Sequence, residues 1–278
     1  MISKKVLIPV IILIIIGGVA GYFYFKIAGP PAIAAQLVVD TGVVEMKAGD
    51  TWETVATGQV LTQADTIRTA PDARASIIFF GSSIIRLDGG TEVTIKDLIL
   101  DRANTKVTIE QASGRTWSKV LKLSGIEEYS VQTPTTVASV RGTAFGFYLG
   151  DDGMIYIKLL EGSLNAYTYS METGQLIKID EADITAGQMI TVDLDLGISI
   201  GDLAGDDWVT ENTVKDDAFL EQQLEDILNR MSDVIAMGKA QYGVTDQEIE
   251  DSVRCWLKGE CEIPPEMPQW VIDIAIRN

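Results

Sequence analysis

Short stretches of alternating or continuous apolar residues fill the chain from Gln36 to Asp195, separated by Gly, Asp, Asn or Ser. Alternation over about 4–8 residues is typical of half-buried strands, and turn residues mark the strand ends. The pattern predicts strands at Leu37–Met46, Ala73–Phe80, Ile84–Leu87, Val93–Leu100, Val107–Gln111, Tyr129–Gln132, Phe145–Leu149, Met154–Leu160, Leu164–Tyr169, Leu176–Ile179 and Met189–Leu194. Many short, closely spaced strands predict a mainly β sandwich, barrel or twisted solenoid-like stack.

A different pattern precedes the strands: residues 6–25 carry no charge, with Lys4 and Lys5 before them and Lys26 after them. About 20 helical residues span roughly 30 Å, the hydrocarbon thickness of a bilayer. Residues 1–26 are therefore predicted to be a cytoplasmic stub and a single transmembrane helix of the inner membrane. The lysine bias keeps the N-terminus cytoplasmic and places the bulk of the chain on the extracytoplasmic side. The alternative is a cleaved signal peptide ending at Ala32-Ile33-Ala34.

The segments around the strands divide the chain further. Residues 27–35 form a short linker with Gly and Pro, 36–195 the β domain, 196–207 an acidic linker rich in Gly, and 208–278 a helical region. Apolar residues recur at helical spacing from Leu220 to Ile235 behind the candidate caps Asn212, Thr213 and Asp216. Thr245-Asp246-Gln247-Glu248 has the form of a capping box, and a last short helix is predicted near 270–275. These helices either dock a partner or close an exposed end of the β domain.

Composition excludes several function classes. The net charge is −18, which disfavours nucleic acid, and the absence of histidine removes the commonest metal ligand and general base. No sequence motif of a hydrolase, metalloprotease or phosphate-binding loop occurs, so we predict no enzyme activity, no cofactor and no metal. Calcium binding by the acids at 193–207 is an alternative to a solvated linker. Cys255 and Cys261 are predicted to form a disulfide, with free thiols as the alternative.

Two segments of the chain echo each other. Gly49-Asp50-Thr51-Trp52-Glu53-Thr54-Val55 returns as Gly114-Arg115-Thr116-Trp117-Ser118-Lys119-Val120, and Ile67-Arg68-Thr69-Ala70 returns as Val140-Arg141-Gly142-Thr143-Ala144. After Ile67-Arg68-Thr69-Ala70, and again after Val140-Arg141-Gly142-Thr143-Ala144, the chain continues into a strand, a Gly turn and another strand. The echo predicts one structural unit used twice, whereas the alternative is chance similarity of short β motifs.

The segment from Thr133 to Phe145 combines a turn, a Thr- and Val-rich strand and a lone cation. Pro134 favours an extended Thr133, and Gly142 marks a bulge or bend. Arg141 stands in an otherwise apolar and hydroxyl-bearing run, so we predict a joint between strands in which a pinned guanidinium meets a carboxylate or carbonyls. A ligand-binding role is the alternative for this arginine.

These residues resemble the FecR domain, named after the bacterial regulator of ferric-citrate transport. The resemblance covers about 36–195 and is carried by Trp52 to Thr69, by Gly81-Ser82 with Ile85-Arg86-Leu87, and by Thr133 to Phe145. The sequence departs from the family at Ala64-Asp65, where the family has Gly-Asp, and at Phe80-Gly81-Ser82, where it has Asp-Gly-Ser. The motif residues, structural or in contact with a partner, are Trp52, Asp65, Arg68, Thr69, Arg86, Thr133, Pro134, Arg141, Gly142 and Thr143.

The resemblance implies an extracytoplasmic, twisted, solenoid-like β module that makes or transmits protein contacts without catalysis. Our first hypothesis is therefore a membrane-anchored interaction or sensing module that binds a protein or a cell-envelope glycan. The second is a structural surface or filament component, for which self-association of the part beyond the membrane helix is expected. The third is a glycan-acting hydrolase using two carboxylates.

Overall fold

The computed structural model describes residues 34–99, 105–121, 124–172, 175–203, 205–232, 235–236, 245–258 and 260–261. The predicted membrane helix at 6–25 and the short helix near 270–275 lie outside this range. Within it, no helix is both long enough and apolar enough to cross a membrane. The membrane anchor stays a prediction from the sequence.

In the described residues, seventeen strands precede two helices. The first nine are β1 (Ala35–Thr41), β2 (Val44–Ala48), β3 (Thr51–Thr54), β4 (Thr66–Thr69), β5 (Arg74–Phe79), β6 (Ser83–Leu87), β7 (Glu92–Ile99), β8 (Lys106–Ser113) and β9 (Arg115–Val120). The others are β10 (Glu128–Gln132), β11 (Thr136–Val140), β12 (Ala144–Leu149), β13 (Ile155–Glu161), β14 (Ser163–Glu172), β15 (Gln175–Thr185), β16 (Gln188–Val192) and β17 (Ile198–Asp202). The helices are α1 (Asp207–Arg230) and α2 (Asp246–Lys258).

The strands form two sheets that face each other across one core. The eight-stranded sheet has the order β1-β5-β6-β9-β12-β13-β16-β17, and the nine-stranded sheet has the order β15-β14-β11-β10-β8-β7-β4-β2-β3. Alternate residues of both sheets point into one hydrophobic cluster, including Leu37, Ile77 and Phe145 from the first sheet and Ile95 and Val131 from the second. The mainly β prediction is confirmed. The structure shows a two-sheet sandwich and does not show the predicted solenoid-like winding.

The chain visits the two sheets in the same order twice. Strand β4 lies in the nine-stranded sheet, the β5–β6 hairpin in the eight-stranded one, β7–β8 in the nine-stranded one and β9 in the eight-stranded one. Strands β11, β12–β13, β14–β15 and β16 then repeat that alternation. Arg68 and Arg141 therefore lie at matching places, within β4 and directly after β11. The tryptophan echo does not match, because Trp52 lies in the nine-stranded sheet and Trp117 in the eight-stranded sheet.

Two sequence boundaries need correction. Part of the predicted acidic linker forms β17, which pairs with β16 from Ile198↔Val192 to Asp202↔Gln188. Ile198 and Ile200 alternate with small residues, as expected for a strand. The strand was not predicted because the neighbouring Gly and Asp residues are typical of a linker. Helix α1 begins earlier than predicted, with Asp206 as its N-cap, whose carboxylate accepts a hydrogen bond from the Trp208 N–H at 2.8 Å.

The second helix begins as the sequence predicts. The Thr245 N–H donates to Glu248 Oε2 at 2.8 Å, and the Glu248 N–H donates to Thr245 Oγ1 at 3.3 Å, which confirms the capping box. At its end Cys255 and Cys261 form the predicted disulfide. Helix α2 packs on α1 through Val253 and Leu257.

Candidate protein-binding surface

Helix α1 packs on part of the outer face of the eight-stranded sheet. Trp208 packs edge-on against Trp117 with ring centroids 5.4 Å apart, in a cluster that includes Ala144 and Val209. Gly146 makes this approach possible, because a Cβ at that position would lie 2.4 Å from two Trp208 ring carbons. Further along the helix, Phe219 and Leu220 share a cluster with sheet residues. The middle of the outer face of this sheet, from β5 to β13, is therefore occupied by the chain itself.

A buried ion pair fixes the helix to the sheet. The Arg86 guanidinium donates to Asp216 Oδ1 at 2.5 Å, with side chains that are 11% and 3% exposed. The Trp117 indole N–H donates to the other carboxylate oxygen at 2.9 Å. Burial raises the pKa of Asp216, while Arg86 and Trp117 act in the opposite direction. Arg86, one of the family-motif residues, thus has a structural role, whereas Asp216 is a partner that the sequence did not identify.

The start of α1 is held by charges as well as by packing. Asp206 contacts the Lys158 ammonium, and Arg115 lies over the Trp208 ring at 4.6 Å. Arg115 also donates to Asp88 at 2.6 Å. Burial lowers the pKa of Lys158, and the nearby charge of Arg115 adds to this shift.

In the described part of the chain no helix packs on the outer face of the nine-stranded sheet, since both clusters that contain α1 take their sheet residues from the other sheet or the loops next to it. We call this the open face. Near the β3 edge of this open face, Arg68 donates to Glu45 at 2.7 Å and stacks over the Trp52 ring at 4.0 Å from the centroid. Arg68 is 39% exposed. The structure brings Trp52 and Arg68 together as a half-exposed aromatic–guanidinium pair. We name Glu45, Trp52 and Arg68 the arginine–tryptophan patch.

Asp65 and Thr69 have local structural roles around this patch. Asp65 Oδ2 accepts hydrogen bonds from the Thr62 N–H at 2.7 Å and the Thr62 hydroxyl at 3.1 Å, which closes the turn before β4. Thr69 Oγ1 donates to the Asp88 carbonyl at 2.6 Å and accepts from the Thr91 N–H at 3.0 Å. These two motif residues hold β4, and with it Arg68, in place.

Ala64 and Phe80 are the two positions at which the sequence differs from the family motif. Both have a left-handed backbone conformation, with φ angles of +75° and +49°. Phe80 also contributes a buried side chain to the core. The Ala64 side chain is exposed and makes no such contribution to the core. Glycine, the residue that the family has before Asp65, adopts this conformation without steric cost.

We expect Ala64→Gly to raise the free energy of unfolding by up to about 1 kcal/mol, because it relieves the left-handed strain of an L-residue. Chemical denaturation of the full chain measures the change. Ala56→Gly is the matched control: this exposed loop alanine is not left-handed, so the same substitution there should destabilise. Equal losses at both positions would contradict the interpretation.

The segment from Thr133 to Thr143 forms a turn and a strand, as predicted, but its arginine is not pinned. The Thr133 N–H donates to the Thr136 carbonyl at 2.8 Å, and the Thr133 hydroxyl accepts from the Thr136 N–H at 3.1 Å, with Pro134 inside the turn. Arg141 is 75% exposed and reaches Glu127 at 3.0 Å. The predicted contact with a carboxylate is present, but the guanidinium is exposed rather than enclosed, because Arg141 follows the last residue of β11.

The residues after Arg141 complete the joint. Gly142 has a φ of +65°, where a bend needs glycine. Thr143 is buried, and its carbonyl accepts from the Val120 N–H at 2.8 Å. The segment thus joins β11 to β12 between the two sheets.

No group of three or more acids or cysteines in the described part of the chain could hold a metal ion. In the acidic stretch, Asp193 Oδ1 accepts from the Asp195 and Gly197 N–H groups, both at 2.9 Å. A carboxylate used in this way closes a turn, which explains Asp193 without calcium.

The two sheets are also tied together by Asp180 in β15. Its carboxylate accepts from the Ile198 N–H at 2.9 Å and from the Glu181 N–H at 2.8 Å. These two donors lower the pKa of Asp180.

A lowered folded-state pKa means that the stabilising contribution of Asp180 is complete above the unfolded pKa of about 3.9 and is lost as the pH falls through the folded value. We therefore expect the stability advantage of the wild type over Asp180→Asn to be largest near neutral pH and to shrink below about pH 4. Denaturation at several pH values measures it. An advantage that stays constant down to about pH 2 would show that the carboxylate charge plays no part.

The comparison with protein families agrees with the resemblance seen in the sequence. The family described as FecR protein matches residues 65–165, a region from the turn before β4 to the start of β14. Residues 65–165 are therefore similar to the FecR domain. The match to this family agrees with the prediction that the chain is not an enzyme. The match is shorter than the predicted 36–195, so the domain boundaries stay a prediction.

Two solved structures resemble part of the chain. Both are crystal structures of a "putative anti-sigma factor" from Parabacteroides distasonis, with TM-scores of 0.40 and 0.39 and 14% sequence identity. The first comparison covers 51% of this chain and 60% of that protein, and the second covers 49% and 59%. The chain thus spans less than two thirds of either structure. No curated protein gives a significant match.

Proposed function

We propose that this protein is a membrane-anchored signal-transduction module of the bacterial cell envelope. Its uncharged segment at 6–25 would hold it in the inner membrane, with the β-sandwich on the extracytoplasmic side. The FecR match supports a regulatory role rather than a catalytic one. The module would work by binding a protein partner.

One observation supports the choice of surface: helix α1 packs on the outer face of one sheet, whereas no described helix packs on the outer face of the other sheet, which carries the arginine–tryptophan patch. Trp and Arg are the residues most enriched at the energetic centres of protein interfaces. Arg68 is already held by Glu45 and Trp52, so little side-chain entropy is lost when a partner binds it. We infer that the patch contacts the partner.

Purification of the tagged full chain from membranes of its own bacterium tests this function. We expect one protein to be recovered with the wild type and to fall by about 30-fold with Arg68→Glu, as for the loss of a central interface residue. Arg141→Glu is the matched control, since Arg141 occupies the corresponding place in the second half and also pairs with one glutamate. Equal recovery with both variants would contradict the assignment of the patch.

A further inference from the structure

The β14–β15 hairpin extends past the core of the sandwich. Leu164 and Ala166 are buried, whereas residues 171–172 and 175–179 are exposed. Four apolar side chains stand in this outer part: Met171, Leu176, Ile177 and Ile179 are 67%, 63%, 41% and 45% exposed. Exposed apolar side chains add little to the stability of the fold, and groups of them are typical of interaction surfaces.

The same hairpin presents an open sheet edge. In the described residues β15 pairs with β14 alone and ends the nine-stranded sheet. Natural edge strands are normally protected by charges, bulges or covering segments. The second half of β15 is protected in this way, since the register shifts between Lys178 and Asp180 and the Asp180 carboxylate holds β17. The first half, Gln175–Ile179, carries one charge and three exposed aliphatic residues.

The other free edge at this end of the sandwich is a poorer site for the addition of another strand. Strand β17 ends the eight-stranded sheet, but it has one large exposed apolar residue, Ile200, followed by Gly201 and Asp202. The N–H of its first residue is already bound by Asp180. Glycine weakens a strand because it offers no side chain to pack.

Charge selects the kind of segment that fits β15. The hairpin carries four acids, Glu172, Asp180, Glu181 and Asp183, against Lys178, whose ammonium already lies 2.8 Å from Glu181. A second copy of a chain with a net charge of −18 would meet like charges. We propose that Gln175–Ile179 accepts an extended, basic peptide segment of another protein by strand addition. Its backbone would pair with β15, and its alternate apolar side chains would cover Leu176 or Ile177.

This site lies at the β15 end of the nine-stranded sheet, and the arginine–tryptophan patch lies at the β3 end. The inference does not rest on the proposed function. Either site can fail its test without the other.

Hydrogen exchange of the full chain in detergent tests the site. The probe is a seven-residue peptide, blocked at both ends, in which valine and threonine alternate between terminal lysines. We expect amides within 175–179 to exchange about tenfold more slowly with saturating peptide. A peptide with glutamates in place of the lysines should protect much less, and a central proline should abolish protection because proline cannot pair fully.

Matched variants locate the effect. The double variant Leu176→Lys with Ile177→Lys places charges on this edge that disfavour pairing with another strand. It should weaken binding of the lysine peptide about tenfold or more. Ser199→Lys with Ile200→Lys adds the same charges to β17 and should leave binding within about twofold. Unchanged exchange at 175–179, or equal protection by the lysine and glutamate peptides, would overturn the proposal. Protection that instead grows with protein concentration, without peptide, would identify a second copy as the occupant and would also overturn it.

Discussion

Replacement of Asp216 by alanine is expected to lower the free energy of unfolding by about 3–5 kcal/mol, because it leaves the Arg86 guanidinium buried without its counter-charge. The Trp117 indole N–H would lose its acceptor as well. Denaturant titration of the full chain, followed by tryptophan fluorescence, measures the loss. A loss below about 1 kcal/mol would show that the pair does not hold α1 on the sheet.

Two controls separate this effect from a general effect of removing an acid. Glu127→Ala breaks the exposed pair with Arg141 and should cost no more than about 1 kcal/mol. The double variant Arg86→Met with Asp216→Leu replaces both charges by apolar groups, and such replacements of buried pairs are often close to neutral. We therefore expect it to recover most of the stability that Asp216→Ala loses.

Trp208→Ala is expected to cost about 3 kcal/mol or more, since it removes a large side chain packed against the sheet. Trp208 contacts the Trp117 ring and is covered by Arg115. The same denaturant titration measures the loss. A small loss would mean that the start of α1 is held by Asp206 and its contacts alone.

The close approach of the Trp208 ring to Gly146 gives a second test of the same contact. Gly146→Ala should destabilise the wild type by about 1–3 kcal/mol, because its Cβ would overlap the Trp208 ring. In the Trp208→Ala background that ring is absent, so the substitution should cost much less. The backbone of Gly146 is not left-handed, so alanine adds no backbone strain there. Equal costs in both backgrounds would contradict direct contact between the two positions.

The sequence predicted the class of fold better than its arrangement. Period-2 alternation identified most strands, because each alternates between the core and an outer face. It merged β1 and β2 into one run, since little more than Gly42 separates two apolar stretches. It missed β3 and β17, which are short edge strands with few buried residues, and it also missed β4 and β9. Which strands share a sheet depends on contacts between distant segments, which local patterns do not encode.

Among the motif residues, sequence reasoning grouped side chains whose surroundings proved different. Trp52 and Trp117 lie in similar motifs, yet one is half-exposed beside Arg68 and the other is buried beneath α1. Arg86 was predicted to be structural or in contact with a partner, and the carboxylate that it meets, Asp216, lies 130 residues later and was interpreted as a cap. Such a pairing could be found only once the helix was placed on the sheet.

Site-specific photo-crosslinking in the living bacterium tests most directly whether the open sheet face is the working surface of this protein. A photoreactive residue at Thr54, two positions from Trp52 on the same strand, should capture one partner protein on the extracytoplasmic side. The same residue at Val214, on the exposed side of α1, should not capture that protein. Capture of the partner from Val214 but not from Thr54, or capture of a cytosolic protein from Thr54, would contradict the proposed function.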